Sequence, residues 1–411
     1  MEEKSEEYAM DTLHDLATTV EWDTGSLANY YQMRGVTAPH TGKPISEALL
    51  LGISGGIVMG YFTFNYQGTL PQARILTRNT FDPMSAILER LGIVQNIVHS
   101  TSADKGRTKL EEALDNGTPA IVWGDAHSMP YTGVPILIIE NYYAMLPFLV
   151  IGLDQAADTA TIIDRSRATS TLPIARLDAV RGRVKKFKYR MMTPDAPNWD
   201  KLNAAVHAGI WDTIKLYTEK PPKGSRHNFG FAAYKRLAEL LVKPKGRDSW
   251  ENVFPPGVLM FSGLSWIFCD INTFGKDGQA ERHMYADFLE EASQILEVPQ
   301  LGEPARLFRK SARAWDQLSQ IIFPADIGLF KQTADLLLQR HTLYRDQGGS
   351  AENEITEINN RMQEIQSEVE SEFPIDKKAS QELLAAMRDQ VMVIHDIEGQ
   401  AVSELIKVMS A

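Results

Sequence analysis

The residues best placed to do chemistry begin at Trp22-Asp23-Thr24-Gly25-Ser26-Leu27-Ala28-Asn29, where a Thr-Gly-Ser turn leads into a helix through Tyr30 and Tyr31. Such a turn aims backbone N–H groups and the positive end of the helix dipole at whatever lies before it, which suits an anion or a polarised carbonyl. Taken as structure alone it is an N-capping segment. A second candidate is His127, in Gly124-Asp125-Ala126-His127-Ser128-Met129-Pro130-Tyr131; its alternative reading is a surface residue of a loop. The single cysteine, Cys269, sits in the apolar run Trp266-Ile267-Phe268-Cys269-Asp270 and reads as a buried, inert thiol. Gly52-Ile53-Ser54-Gly55-Gly56 lacks the lysine and helix context of a phosphate-binding loop. The nine histidines show no i, i+4 pairing, so no metal site and no cofactor are expected.

The elements that must position these residues fall into three textures over 411 residues. Residues 8–195 alternate short apolar runs with helical stretches. Ile136–Glu140, Phe148–Leu153 and Ala160–Asp164 read as strands, and Leu114–Pro119 ends a helix at Gly117 before the strand Ala120–Trp123. Met192–Asp200, with Pro194 and Pro197, reads as a linker, and Lys220–Gly224 as a second break. Residues 200–340 read as all-helical from Trp211-Ile214-Tyr217, Leu237-Leu240-Leu241 and Tyr285-Phe288-Leu289-Ala292. In residues 350–411, Ile355, Ile358, Met362, Ile365 and Val369 precede Phe373-Pro374, and Leu384, Met387, Val391, Ile394, Val402, Leu405 and Met409 follow. The expectation is a helical hairpin whose apolar seam packs on its own domain or makes a homo-oligomer. The fold class is therefore α+β, with a mixed N-terminal domain and a helical C-terminal half.

A formal net charge of -11 argues against nucleic acid or an anionic membrane as the main partner. The local run Arg181, Arg183, Lys185, Lys186, Lys188 and Arg190 reads as a solvated segment or the wall of a basic pocket. The acidic stretch Met1–Glu7 resembles no targeting segment, and the apolar run Ala48–Met59 is too short to span a bilayer, so a cytoplasmic location is expected.

A resemblance adds to this. Gly25-Ser26-Leu27, Ile45–Leu50, Gly52, Gly55-Gly56, Tyr61-Phe62, Gly117-Thr118-Pro119, Asp125 with Pro130-Tyr131, Gly152-Leu153-Asp154 and Ile163–Ser166 follow the order seen in the N-terminal domain of the butirosin-biosynthesis protein H family. Trp250, Phe254, Arg282, Tyr285–Leu289, Glu291-Ala292 and Trp315 resemble the helical domain of unknown function that commonly follows it. The resemblance covers roughly residues 10–325. It implies a papain-like fold and transfer of an aminoacyl group from a carrier-protein thioester to an amine, through a cysteine, a histidine and an acid. The family opens His-Cys-Glu/Asp-Thr-Gly; here Glu21-Trp22-Asp23-Thr24-Gly25 stands in that register, with Trp22 at the cysteine position. Leu146-Pro147-Phe148 occupies the histidine position, and Asp164 keeps the third.

Tryptophan is no nucleophile and proline takes no proton, so the inherited covalent route is closed. Two readings follow. In the first, carboxylates replace the pair: Asp23 with Glu47 or Asp164 does general acid–base work once burial raises one pKa, with His127 or Asp125 as a further base. In the second, a non-catalytic descendant binds a small molecule, an acyl-carrier protein or a partner enzyme, with Trp22, Thr24, Gly25, Ser26, Gly55, Gly56, Asp125, Tyr131, Pro147 and Phe148 lining the site and Trp22 as a flat apolar wall.

Overall fold

The computed structural model describes residues 19–66, 68–129, 131, 143–187, 189–273 and 278–411. In the N-terminal half, helix α1 (Trp22–Met33) and the short α2 (Glu47–Ile53) precede an antiparallel hairpin of β1 (Ile57–Phe64) and β2 (Gln72–Arg78). Then come α3 (Pro83–Arg90), β3 (Ile97–Val98), α4 (Ala103–Asp115), β4 (Ala120–Asp125), β5 (Met145–Asp154), β6 (Thr159–Ile163), β7 (Ser170–Pro173), α5 (Ile174–Gly182) and β8 (Met191–Met192). Six of these strands form one antiparallel sheet in the order β3-β8-β4-β5-β6-β7. The fold is α+β, as the alternation of apolar runs and helices predicts. The strand expected at Ile136–Glu140 lies outside the described residues, as do Pro130 and Lys188. The expected linker starts one residue later than predicted, because Met192 is consumed as a strand residue paired with Ile97 and Ile121.

The central strands read as continuous apolar runs because both faces of the sheet are covered. Along β4, Ile121 and Trp123 join one apolar cluster, while Ala120 and Val122 join another on the opposite side. The first cluster runs without interruption from Val20 to Leu405. The second gathers Leu110 of α4 and Leu177 and Val180 of α5, together with Trp22, Tyr344, Ala351 and Ile355. Residues late in the chain therefore help to cover both faces. The basic run is divided: Arg181 is buried, where loss of solvent pulls its guanidinium down to about 10, while Arg183, Lys185 and Lys186 are exposed.

The C-terminal half contains α6 (Leu202–Thr218), α7 (Gly230–Val242), α8 (Trp250–Val253), α9 (Val258–Asn272), α10 (Arg282–Ile295), α11 (Gly302–Ile322), α12 (Gly328–Gln347), α13 (Glu352–Ser371) and α14 (Lys377–Met409). The expected C-terminal hairpin is corrected here. The principal partner of α13 is α12, and those of α14 are α11 and α7, so the two helices are not mates across one seam. Their apolar stripes are spent inside the chain: Ile355, Ile365, Val391, Ile394 and Leu405 are all buried. The β1–β2 hairpin, early in sequence, packs on α7 and α9.

At the centre of the helical half lies a salt bridge with no exposure on either side, Arg282 Nε to Glu398 Oε1 at 2.8 Å. Glu398 also accepts from Tyr217 and Tyr234 hydroxyls and Ser311 Oγ, each at 2.6 Å, and from Trp315 Nε1 at 3.1 Å. Arg282 donates in turn to the carbonyls of Thr77 and Ala280 at 2.8 Å and of Val58 at 3.1 Å. Burial pushes the Glu398 carboxyl up, but the Arg282 guanidinium and the bonds from Arg282, Ser311 and Tyr217 outweigh it and hold it below the usual range. Every polar atom is paired, which is the condition under which such a centre is tolerated. Glu398→Gln leaves Arg282 buried without its counter-charge, and is expected to cost about 3–5 kcal/mol in urea unfolding. Glu404→Gln, on an exposed face of the same helix, should shift the midpoint by no more than about 0.5 kcal/mol.

Candidate functional site

Helix α1 starts at Trp22, with Glu21 as its N-cap accepting from the Asp23 N–H. The N–H groups just ahead of the helix face an anion, and that anion is the chain's own Glu47. Its Oε2 accepts from Val20 N at 2.6 Å; its Oε1 accepts from Glu21 N at 2.9 Å and from Thr24 Oγ1 at 2.7 Å. Burial raises the Glu47 carboxyl, offset in part by Arg78 and by the bonds from Thr24 and Val20. Thr24 and Glu47 are thus brought together, but as an internal tie between α1 and α2. A Cβ on Gly25 would come within 2.9 Å of Thr19, so this position lets the incoming chain lie against the helix.

Beside this tie, Arg78 at the end of β2 bonds Glu281, lies 3.2 Å from Glu21 and donates to Thr24 Oγ1 at 3.3 Å. Thr77 Oγ1 reaches the other Glu281 oxygen at 2.6 Å. Glu281 is delivered by three successive non-glycine residues with left-handed backbone, Gln279 (φ 56°), Ala280 (φ 48°) and Glu281 (φ 63°). Each such residue costs on the order of 1–3 kcal/mol, held in place here by the surrounding ion pairs. The same turn aims the Ala280 carbonyl at Arg282. Asp23 stands at the edge of this cluster. Burial, with Glu21 and Asp82 nearby, pushes its carboxyl up to about 7 against the pull of Arg78.

On the other side of the α1 start, Ser26 Oγ donates to the Pro147 carbonyl at 3.0 Å, so the turn containing Trp22 and Ser26 abuts β5 at Pro147. Leu149 pairs with Ile163, the last residue of β6, and Asp164 follows directly after it. Trp22, Pro147, Phe148 and Asp164 therefore come from adjacent elements. Trp22 is 6% exposed and shares an apolar cluster with Tyr131, Phe148 and Tyr344. The Arg165 guanidinium lies 6.0 Å over the Trp22 ring and 4.7 Å over the Tyr344 ring. It donates to the carbonyls of Val20 at 3.3 Å and Thr273 at 3.1 Å. Tyr344 belongs to α12 and stacks 6.2 Å from Tyr131. Asp164 accepts from Ser166 N at 2.7 Å, and burial raises its carboxyl against the bonds from Ser166, the charge of Arg165 and the Tyr344 phenol.

The remaining candidates sit apart from these contacts. Asp125 caps the short turn after β4, accepting from His127 N at 3.2 Å, Ser128 Oγ at 2.6 Å and Ala144 N at 2.9 Å. His127 is half-buried; loss of solvent lowers its imidazole, Asp125 opposing and Arg74 assisting. Gly55 (φ 103°) and Gly56 (φ 65°) turn the chain from α2 into β1, where a Cβ would strike Asn79 and Thr213 at 2.2 Å. Their contacts are thus with Asn79, just past β2, and with α6 and α10. Cys269 is buried, and burial raises its thiol. Among the described residues no group of three His, Cys, Asp or Glu side chains is arranged to hold a metal ion, and no helix is long and apolar enough to cross a membrane. Arg78, Glu281 and Tyr344 escape a reading of the sequence, while Arg165 stands in the Ile163–Ser166 stretch of the resemblance with no role assigned to it; of the other three, Arg78, closing an apolar strand beside the glycine turn, carries a local signal.

Residues 22–165 match the family described as butirosin biosynthesis protein H, N-terminal. The match opens at Trp22 and closes one residue past Asp164, so it spans α1, β5 and β6. No curated protein matches the chain.

The raised Asp23 carboxyl has a measurable consequence. A group at 3.8 when unfolded and about 7 when folded binds more proton in the folded state between those values. Its stabilising contribution is whole below about pH 4 and is lost as pH rises towards 7. The thermal midpoint of Asp23→Asn relative to the parent should therefore climb from pH 4 to 7 and then level off. A difference that stays flat across this range contradicts the assignment.

Proposed function

We propose, from the place of residues 22–165 in the butirosin biosynthesis protein H N-terminal family, that this protein is a divergent member serving small-molecule biosynthesis, one that binds an acyl-type ligand or its carrier without forming an acyl-cysteine. The family suggests a biosynthetic role of acyltransferase type. In support of a papain-like arrangement, the first turns of α1 reach β5 through Ser26 and the Pro147 carbonyl, and the family resemblance assigns Trp22, Pro147 and Asp164 to the nucleophile, base and orienting-acid positions. The observation that carries the binding reading is Trp22 itself. A buried indole, with the Arg165 guanidinium between it and Tyr344, occupies the helix-start position at which a thiolate would need an open approach. Glu47, Thr24 and Glu21 are engaged with one another, so the helix-start donors face an internal carboxylate. Neither nucleic acid nor a membrane is invoked as a partner.

A second reading draws on Asp23, whose carboxyl near 7 suits a general acid or base at neutral pH. One experiment separates the two. The protein is incubated with acyl-pantetheine thioesters and simple amines, then followed by intact mass and by amide formation. The binding reading expects an unchanged protein mass and no amide, and an acyl adduct on the parent chain overturns it. The carboxylate reading expects amide formation without an adduct, abolished in Asp23→Asn and in Asp164→Asn while both variants keep their fold. Turnover that survives both substitutions removes it.

A further inference from the structure

At the end of α1 opposite to Trp22, a cavity of about 520 Å³ opens between the last turn of that helix and the proline-marked segment after β8. Its volume falls in the range of small-molecule sites. Tyr30, Tyr31 and Val36 line it on the α1 side, and Asn96, Thr193 and Asp195 on the other. The lining holds two charged groups, Arg34 and Asp195, and among the described residues neither is ion-paired. Asp195 is fixed through its backbone: its N–H donates to the Val94 carbonyl at 2.9 Å, and its carbonyl accepts from the Tyr31 hydroxyl at 2.9 Å. Its carboxylate is aimed by Asn96, which has a left-handed backbone (φ 45°). The Asn96 amide donates to the Thr193 carbonyl at 3.0 Å and to Asp195 Oδ1 at 2.7 Å, which leaves Oδ2 for a second donor. Burial raises the Tyr30 phenol, with Arg34 opposing and Asp195 assisting, so both charges act on one hydroxyl.

We infer that this cavity binds a free α-amino acid with an apolar side chain, its carboxylate at Arg34 and its ammonium at Asp195. A ligand of one sign satisfies one of these groups and is repelled by the other. A zwitterion satisfies both, and its side chain gains affinity from the apolar surface it covers along the α1 wall. Arg34 and Asp195 are both exposed, so each contact contributes a modest factor that salt reduces. The inference goes beyond the reading given for the start of α1 and is independent of it, since none of Trp22, Asp23 and Asp164 lines this cavity.

Ligand-observed NMR titration of the full chain at low salt with phenylalanine, phenylalaninamide, N-acetylphenylalanine and glycine tests it. Phenylalanine should bind saturably, and each of the other three more weakly. Arg34→Gln should weaken phenylalanine by about two- to fivefold without weakening phenylalaninamide, which has no carboxylate to lose. Asp195→Asn should weaken phenylalanine by a similar factor without weakening N-acetylphenylalanine, which has no ammonium. Ala196→Trp and Thr118→Trp each place an indole in the cavity from a different wall and should abolish binding while the circular dichroism spectrum is kept. Two such substitutions guard against one of them failing to fold. The inference is overturned by the absence of saturable phenylalanine binding, by either blocked derivative binding as tightly as phenylalanine, by indifference to both charge substitutions, or by binding that survives both tryptophans.

Discussion

The Arg282–Glu398 pair sets the terms for the rest of the molecule. Two full charges removed from water are tolerated only when every remaining lone pair and proton is met. Meeting them recruits hydroxyls from α6, α7 and α11 and carbonyls from the β1–β2 hairpin. Five helices and a hairpin must arrive together for the charges to be satisfied. That requirement explains why α14 crosses the helical half as a central element, although its sequence reads as one arm of a helical hairpin. It also fixes Arg282 at the start of α10, and with it the left-handed turn just upstream that carries Glu281 to Arg78.

The consequence reaches the start of α1. Arg78 is held by Glu281 from the helical half and by Glu21 from the helix cap. The same guanidinium steadies Glu47, whose carboxylate fills the donors ahead of α1. Charge around Asp23 is thus set by residues from three distant stretches of chain. Burial among several carboxylates raises both Glu47 and Asp23, the latter to about 7, against the pull of Arg78.

Much of the scaffold is legible in the sequence because local physics writes it. The Leu114–Gly117 stop, the apolar run into β4, and β5 and β6 follow from turn chemistry and from strands covered on both faces. The stepped apolar residues of α13 and α14 announce helices needing cover. They do not say which neighbour supplies it, since a stripe specifies burial and not a partner. The site divides in the same way. The Thr-Gly-Ser segment expected as a turn ahead of a helix lies inside α1, and the donors that meet an anion are the Val20 and Glu21 N–H groups and the Thr24 hydroxyl. That the anion is Glu47, 23 residues beyond Thr24, needed the fold. Glu281, 203 residues from Arg78, and Tyr344, from α12, leave no trace in local pattern.

The cover on the sheet has an implication for how such a chain can be divided. Trp22, Phe148 and Ile162 share their cluster with Tyr344 and Ile355, and the opposite face shares its cluster with helices as late as Leu405. The two halves look separable in sequence, with a proline-marked junction near residue 195, but neither owns a complete interior. A gene split at that junction would yield two polypeptides, each with bare apolar surface. Recombination that exchanged one half for a distant counterpart would have to preserve dozens of contacts at once. Modularity along the chain is here no guide to heritable units in space.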